Sequence, residues 1–140
     1  IAGPDIMKII AKTHDALVGC APKISQRAAH AAITGSQEVV QSFASILKTR
    51  RDLVVRLFDG LGDIFSYIKP SGAYYLFAKY RMKDSSFSLG NELLEKAKVA
   101  VVPGACFGTG GEGHIRISFA VEDQVLAEGV HLLDKYLRKR

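Results

Sequence analysis

The stretch "PGACFGTGGEGHIRISFA", Pro103–Ala120, decides the fold because five glycines within ten residues lead into an alternating segment. Gly108, Gly110 and Gly113 spell G-x-G-x-x-G, which in dinucleotide-binding proteins joins a strand to a helix. Residues 114–119 instead alternate polar and apolar side chains, a pattern that predicts a strand. We therefore reject the nucleotide fingerprint and interpret the glycines as a flexible or tightly turned connection between two strands.

Arg116 lies in the middle of the strand that follows the glycines. Alternation places three polar side chains on one face and three apolar ones on the core face, with His114, Arg116 and Ser118 opposite Ile115, Ile117 and Phe119. A guanidinium held rigid by a sheet can grip a carboxylate through two parallel hydrogen bonds. The alternative is a charge that simply points into solvent, and the pattern alone leaves both interpretations open.

The rest of the chain alternates helical and strand patterns, which predicts an α+β fold with helices packed around a small, mainly antiparallel sheet. One helix is long, because apolar residues recur at three-to-four spacing from about residue 37 to residue 61. The other predicted helices cover residues 4–18, 23–33, 85–96 and 122–137. The predicted strands cover residues 63–69, 73–79, 99–102 and 114–119. Val125, Leu126, Val130, Leu133 and Leu137 are predicted as the buried face of the last helix.

The composition is that of a globular protein. The chain has 140 residues, 48% of them apolar, and a net charge of +5. No apolar run is long enough to cross a bilayer, and no signal peptide is visible, so we expect a cytoplasmic protein. Cys20 and Cys106 are predicted as free thiols, and the scattered histidines argue against a metal site. The basic run 135–140 suits the end of a helix, and we predict no nucleic-acid partner.

Three motifs resemble the C-terminal part of class I/II aminotransferases, which are pyridoxal-phosphate enzymes of the aspartate aminotransferase fold. They are "GAYYLF" (72–77), "VAVVPGACFG" (99–108) and "GEGHIRISFA" (111–120), in the order and spacing of the family. Residues 50–61 resemble the family's interdomain helix, and residues 24–35 the segment just before it. The resemblance implies that residues 1–140 form a single domain, the family's small domain, in which residues 1–36 end the large-domain or interface segment.

The resemblance also implies roles for individual residues. Arg116 matches the arginine that binds the α-carboxylate of the amino-acid substrate. Tyr74 is a second candidate for substrate binding, although core packing explains it equally well. Lys98 stands where many members have glycine at a helix end, which implies a more strained turn or one of another type.

The family's cofactor-binding motifs, S-x-x-K with the Schiff-base lysine and G-x-R-x-G with a phosphate-binding arginine, match nothing in this chain. We expect them upstream, because "IAGP" (1–4) resembles the residues just after the second motif. No catalytic and no cofactor-binding residue is therefore assigned here, and the isolated chain is predicted to be inactive and to hold no pyridoxal phosphate covalently.

For the parent enzyme, the resemblance implies transfer of an amino group between an amino acid and a 2-oxo acid, in a homodimer. The alternative is a free-standing α+β module that binds an amino acid or dimerises without catalysis.

Overall fold

The computed structural model describes residues 2–140, which form two compact units. The first unit extends to Val40 and the second comprises Gln41–Arg140, so that the boundary falls within a helix. The described residues form five α-helices: α1 (Pro4–Leu17), α2 (Lys23–Thr34), α3 (Glu38–Asp59), α4 (Ser86–Glu92) and α5 (Asp123–Leu137). All five lie where the sequence pattern predicts helices, and among residues 2–140 no helix is both long and apolar enough to span a membrane.

Helices α1 and α2 belong to the first unit, and neither contains a buried residue. Pro4 stands in the first turn of α1, where its missing N–H is not needed, and Asp5 lies beside it at the positive end of the helix dipole. Apolar side chains nevertheless recur along both helices. Those exposed in this unit include Ile6, Ile9, Ile10, Leu17, Ile24 and Ile33.

The second unit contains a four-stranded antiparallel sheet, as predicted. Its strands are β1 (Phe65–Tyr67), β2 (Tyr75–Tyr80), β3 (Val102–Pro103) and β4 (His114–Ser118), in the spatial order β1-β2-β4-β3. The central pair β2 and β4 is in register from Tyr75 opposite Ser118 to Lys79 opposite His114. Strand β4, which carries Arg116, therefore lies inside the sheet, with β2 on one side and β3 on the other.

One face of the sheet packs on helices α3, α4 and α5 to form the core. The strands contribute buried apolar side chains from alternate positions: Phe65, Leu76, Ala78, Tyr80 and Ile115. The helices contribute Val54, Phe58, Leu89, Leu126, Val130 and Leu133. Burial of such side chains supplies the main driving force for folding. The prediction that Val125 of α5 is buried is wrong, because its side chain is exposed at the edge of the helix's apolar stripe.

The predicted strand 99–102 is much shorter in the structure. Only Val102 and Pro103 pair with β4, opposite Arg116 and Ile115. Val99 instead donates its N–H to the carbonyl of Leu93, so it closes the end of the preceding helix. The N–H of Val99 therefore bonds to the helix and does not pair with a strand.

Helix α4 continues into a π-helical turn, Leu93–Ala97, which ends at Lys98. Lys98 has φ 60° and ψ 29°, a left-handed conformation that favours glycine. The strained turn expected from the lysine at this position is therefore present.

Candidate substrate-binding site

The sheet face opposite the core is called the open face. It carries the alternate residues Tyr75, Phe77, Lys79, His114, Arg116 and Ser118. Phe77 remains 38% exposed, whereas its neighbours Leu76 and Ala78 on the core face are fully buried. The alternation of β4 confirms the sequence-based assignment of Arg116 to the face away from the core.

Arg116 lies between two aromatic rings. Its guanidinium carbon is 4.2 Å from the ring centre of Tyr75 and 4.7 Å from that of Phe107. Both distances are within the range of cation–π attraction, which is strongest when the ring face meets the cation. Contact with two rings restrains the guanidinium, and its planar fork of N–H groups suits a planar, bidentate ligand.

No acidic side chain within residues 2–140 forms an ion pair with Arg116, and its guanidinium makes no hydrogen bond there. Arg50, Arg51, Arg138 and Arg140 do form ion pairs. Arg138 binds Asp63 and Asp134, and Arg140 binds Asp84. Arg116 is half-buried, so its charge is partly withdrawn from water without a protein carboxylate to balance it. A partly buried cation of this kind is favoured by an anionic partner.

Tyr74, the second residue predicted for the site, does not contact the guanidinium. Its side chain is 42% exposed, and its ring packs 4.3 Å from that of Tyr75. Its carbonyl accepts a hydrogen bond from Phe119, next to the end of β4. The structure thus brings Tyr75 to the Arg116 guanidinium, and Tyr74 packs against Tyr75. Strand alternation from Arg116 across the pairing of β2 and β4 could have indicated Tyr75.

Phe107 was not singled out by the sequence, because it lies in the glycine loop, defined as residues 104–113. Its ring meets that of Phe77 edge-on at 5.9 Å and interplanar angle 86°. Phe77 in turn stacks on the imidazole of His114 at 4.8 Å. Phe107 is therefore part of an aromatic row across the open face, and this row positions the loop against the sheet.

The glycine loop is tightly folded. It consists of two 3₁₀ turns, Gly104–Phe107 and Thr109–Gly111, and leads directly into β4. Gly104 and Gly111 pack so closely that a Cβ on either would collide with the carbonyl oxygen of the other. The rejection of a nucleotide fingerprint is confirmed, since a strand and not a helix follows these glycines.

Whether this chain could hold pyridoxal phosphate by itself depends on how far its lysines are buried. A Schiff-base lysine needs a desolvated site beside the cofactor, where its amine loses its proton more readily. Every lysine in residues 2–140 is exposed. The residues of this chain alone therefore do not fit the cofactor.

Residues 2–140 also contain no group of three or more metal-ligating side chains. Cys20 and Cys106 are free, as predicted, and both are exposed.

The sequence matches the family model of aminotransferase class I and II over residues 3–133. It is 39% identical over 140 residues to a probable N-acetyl-LL-diaminopimelate aminotransferase of Bacillus subtilis, covering 99% of this chain and 35% of that protein. It is 33% identical over 129 residues to a probable aspartate aminotransferase of Methanocaldococcus jannaschii, covering 92% of this chain and 33% of that protein.

Solved structures agree with these matches. A Pyrococcus protein described as A1 superposes with a TM-score of 0.87 at 31% identity, over 99% of this chain and 36% of that one. The aspartate aminotransferase of Thermotoga maritima gives a TM-score of 0.82 at 27% identity, over 99% of this chain and 34% of that one.

The fold, the motifs and the matches together show that the chain is a segment of an enzyme from a class that depends on pyridoxal phosphate. The chain belongs to the aminotransferase class I and II family. It spans about a third of the length of the relatives it matches.

Proposed function

We propose that this chain is the C-terminal small domain of a pyridoxal-phosphate-dependent aminotransferase, and that Arg116 binds the α-carboxylate of its amino-acid substrate. The observation that carries the proposal is the guanidinium of Arg116, held between Tyr75 and Phe107 with no protein carboxylate on it. Residues 1–36 would end the large-domain or interface segment, and α3 would be the interdomain helix.

The geometry suits the task. Transamination requires a substrate oriented so that the bond broken at its α-carbon is aligned with the cofactor. Two parallel hydrogen bonds from Arg116 to the carboxylate fix that orientation, and the two aromatic rings restrain the orientation of the planar guanidinium. Tyr74, whose ring packs on that of Tyr75, would support the guanidinium indirectly.

The lysine that holds the cofactor would lie in the remainder of the parent enzyme. When bound there, pyridoxal phosphate supplies the electron sink for the reaction. This chain would contribute the carboxylate grip and no catalytic group, so the isolated chain would not transaminate. The parent would act on an amino acid and a 2-oxo acid.

The exposed apolar side chains of α1 and α2 support a homodimeric parent. Patches of this kind in a monomer usually mark an interface. We propose that the remainder of the parent and its dimer partner cover them. Gel filtration with light scattering tests this: a monodisperse dimer of the full-length parent supports it, and a monomer contradicts it.

The coding sequence upstream of Ile1 tests the assignment to a parent enzyme. A frame that continues into an S-x-x-K segment and a G-x-R-x-G motif supports it. A stop codon and a start signal immediately ahead of this segment would contradict it.

The role of Arg116 is tested by kinetics of that parent. Arg116→Lys keeps the charge but removes the planar fork, so kcat/KM for the amino acid should fall by roughly 10- to 150-fold, the equivalent of about 1.5–3 kcal/mol for a hydrogen bond to a charged group. Arg56→Lys is the matched control, because Arg56 is exposed on α3 and should leave kcat/KM unchanged. Equal kinetics for both variants would contradict the assignment.

A second candidate function is a module that binds an amino acid without catalysis. Two observations favour it: every described lysine is exposed, and Arg116 still has its aromatic contacts. The isolated chain is mixed with pyridoxal phosphate, an amino acid and a 2-oxo acid, and turnover is measured. No turnover fits both candidates, whereas turnover that survives Arg116→Ala but requires one of the lysines contradicts both.

A further inference from the structure

Glu112 connects the C-terminal end of the glycine loop to the start of helix α4. Its carboxylate accepts a hydrogen bond from the backbone N–H of Ser86 at 2.6 Å and another from the Ser86 hydroxyl at 3.1 Å. The N–H of Gly113 adds a third at 3.3 Å. Ser86 is fully buried, and it is the one buried polar side chain among residues 2–140. A buried hydroxyl of this kind requires defined partners.

Ser86 also holds the other end of the loop. Its hydroxyl oxygen accepts a hydrogen bond from the backbone N–H of Ala105 at 3.1 Å. A continuous chain of hydrogen bonds therefore runs from Glu112 through Ser86 to Ala105. Phe107 lies between the two tethered points, and its ring covers Arg116 at 4.7 Å. Hydrogen bonds to Ser86 thus hold the chain on both sides of Phe107.

The carboxylate of Glu112 is held mainly by N–H groups. Within residues 2–140 it forms no ion pair with a lysine or arginine. The titratable groups around it are Tyr80 from β2, Asp84 from the segment before α4, and His114 from β4. The Tyr80 hydroxyl donates to the carbonyl of Asp84 at 2.8 Å and lies 3.4 Å from Glu112 Oε1. The His114 ring lies against the Glu112 carbonyl, 3.1 Å from Nδ1 to oxygen.

These contacts favour the ionised form of Glu112. The hydrogen bond from the Ser86 backbone N–H is the main cause that lowers the pKa of the Glu112 carboxyl below its usual value of 4.5, and desolvation, which opposes it, is the weaker effect. Asp84 does not add an unbalanced negative charge nearby, since Arg140 forms a bidentate pair with it. At neutral pH the tether is therefore charged and complete.

We propose that Glu112 is a positioning residue for the carboxylate site: acting through Ser86 and Ala105, it holds Phe107 over Arg116. The proposal rests on the function proposed for Arg116. It adds that affinity for a carboxylate depends on Glu112, although Glu112 makes no contact with the ligand. Loss of the tether would free the loop and let the guanidinium leave the plane in which it meets the ligand.

Nuclear magnetic resonance of the 140-residue chain tests this proposal. Glu112→Gln removes the charge, Ser86→Ala removes the relay, and Glu128→Gln is the matched control on an exposed glutamate of α5. Two signals are followed: the Nε–Hε resonance of Arg116, which the Phe107 ring shifts, and the exchange rate of the Ala105 amide. Pyruvate is the ligand, and its affinity is measured from the same spectra.

In both tether variants the Arg116 resonance should move towards that of an exposed arginine, and the Ala105 amide should exchange faster. Pyruvate affinity should fall about two- to fivefold, as expected when a ring no longer covers the cation. In the Phe107→Leu background, Glu112→Gln should cause no further loss of affinity, because both changes remove the same contact. Rescue of the Arg116 resonance by Glu112→Asp, relative to Glu112→Gln, would support a role for the charge.

An Arg116 resonance and an Ala105 exchange rate that stay at wild-type values in Glu112→Gln would overturn the proposal, whatever the affinity for pyruvate. A full additional loss of affinity in the Phe107→Leu background would overturn it too. Failure of the proposed function is distinguishable, because then pyruvate would not perturb Arg116 in the wild-type chain at all.

Discussion

The guanidinium carbon of Arg116 lies 4.2 Å from the centre of the Tyr75 ring, on neighbouring antiparallel strands. The two residues are diagonal neighbours across the pair β2 and β4, where long side chains still reach each other. Phe107 approaches the same guanidinium from the glycine loop. Sheet and loop thus each supply one ring, and the arginine between them remains open to a ligand.

Removal of the loop's ring should weaken carboxylate binding without loss of the fold. We expect Phe107→Leu to reduce pyruvate affinity by about two- to fivefold, corresponding to a cation–π contact of about 0.5–1 kcal/mol at an exposed site. Phe87→Leu is the matched control, since Phe87 is similarly exposed but is not one of the two rings at the Arg116 guanidinium. Titration followed by the Arg116 resonance measures both. Equal affinities for the two variants would show that Phe107 does not support the site.

The close approach of Gly104 and Gly111 should make the loop intolerant of a side chain at either position. Gly104→Ala places a Cβ against the carbonyl oxygens of Gly111 and His114, so unfolding free energy should fall by about 1–3 kcal/mol. Gly110→Ala is the control, because its Cβ would meet no atom within 4 Å. Urea unfolding distinguishes them, and a Gly104→Ala variant as stable as Gly110→Ala would show that the loop can open at no cost.

Lys98 should be a site where glycine stabilises the chain. The left-handed conformation costs a residue with a Cβ about 1–2 kcal/mol, and the larger unfolded-state entropy of glycine offsets part of the gain. Lys98→Gly should therefore raise unfolding free energy by roughly 0.5–1 kcal/mol. Lys98→Ala keeps the strain and should be neutral. A stabilisation of equal size in both variants would assign the effect to the lysine side chain instead.

Acid should weaken the tether at Glu112. Because its folded-state pKa is lowered, the ionised carboxylate stabilises the fold above the unfolded pKa, near 4.5, and this stabilisation disappears as pH falls through the lower folded-state value. Wild type should therefore be more stable than Glu112→Gln at pH 6, and the difference should shrink as the pH is lowered. Urea midpoints across this range measure it. A difference that does not change with pH would mean that Glu112 acts without its charge.

Two tyrosines should resist ionisation for related reasons. Burial, with the nearby Glu112 carboxylate adding to it, raises the pKa of Tyr80 to about 12, and burial together with the hydrogen bond to Asp59 raises that of Tyr67 to about 12. Alkaline titration by ultraviolet absorbance should therefore show a late phase that belongs to Tyr67 and Tyr80. Tyr80→Phe should remove one late-titrating phenol, and an unchanged late phase would contradict the assignment.

Much of the fold could be predicted from the spacing of apolar residues, because that spacing reflects which side chains are buried. The three-to-four spacing in α3 and the alternation in β4 reflect burial on one face, so both elements lie where they were predicted. Val99 was misassigned because a hydrogen bond to Leu93 competes with strand pairing, and no local pattern reveals such a bond.

The site was partly predictable. The strand pattern places Arg116 on the face away from the core but leaves its role open, and the proposed role comes from the resemblance to the family. Phe107 and Tyr75 reach it through loop geometry and strand register, which depend on long-range pairing. The tether from Glu112 to Ser86 joins residues 26 positions apart, so no local sequence rule could indicate it.

The central claim is that Arg116 binds a substrate carboxylate, and the most direct measurement is a titration of its Nε–Hε resonance in the 140-residue chain. Pyruvate is compared with pyruvamide, which has the same shape but lacks the charge. The account predicts a saturable shift at Arg116 with pyruvate only, none at Arg56, and loss of binding in Arg116→Lys. Equal shifts with both ligands, or binding of pyruvate that survives Arg116→Lys, would contradict it.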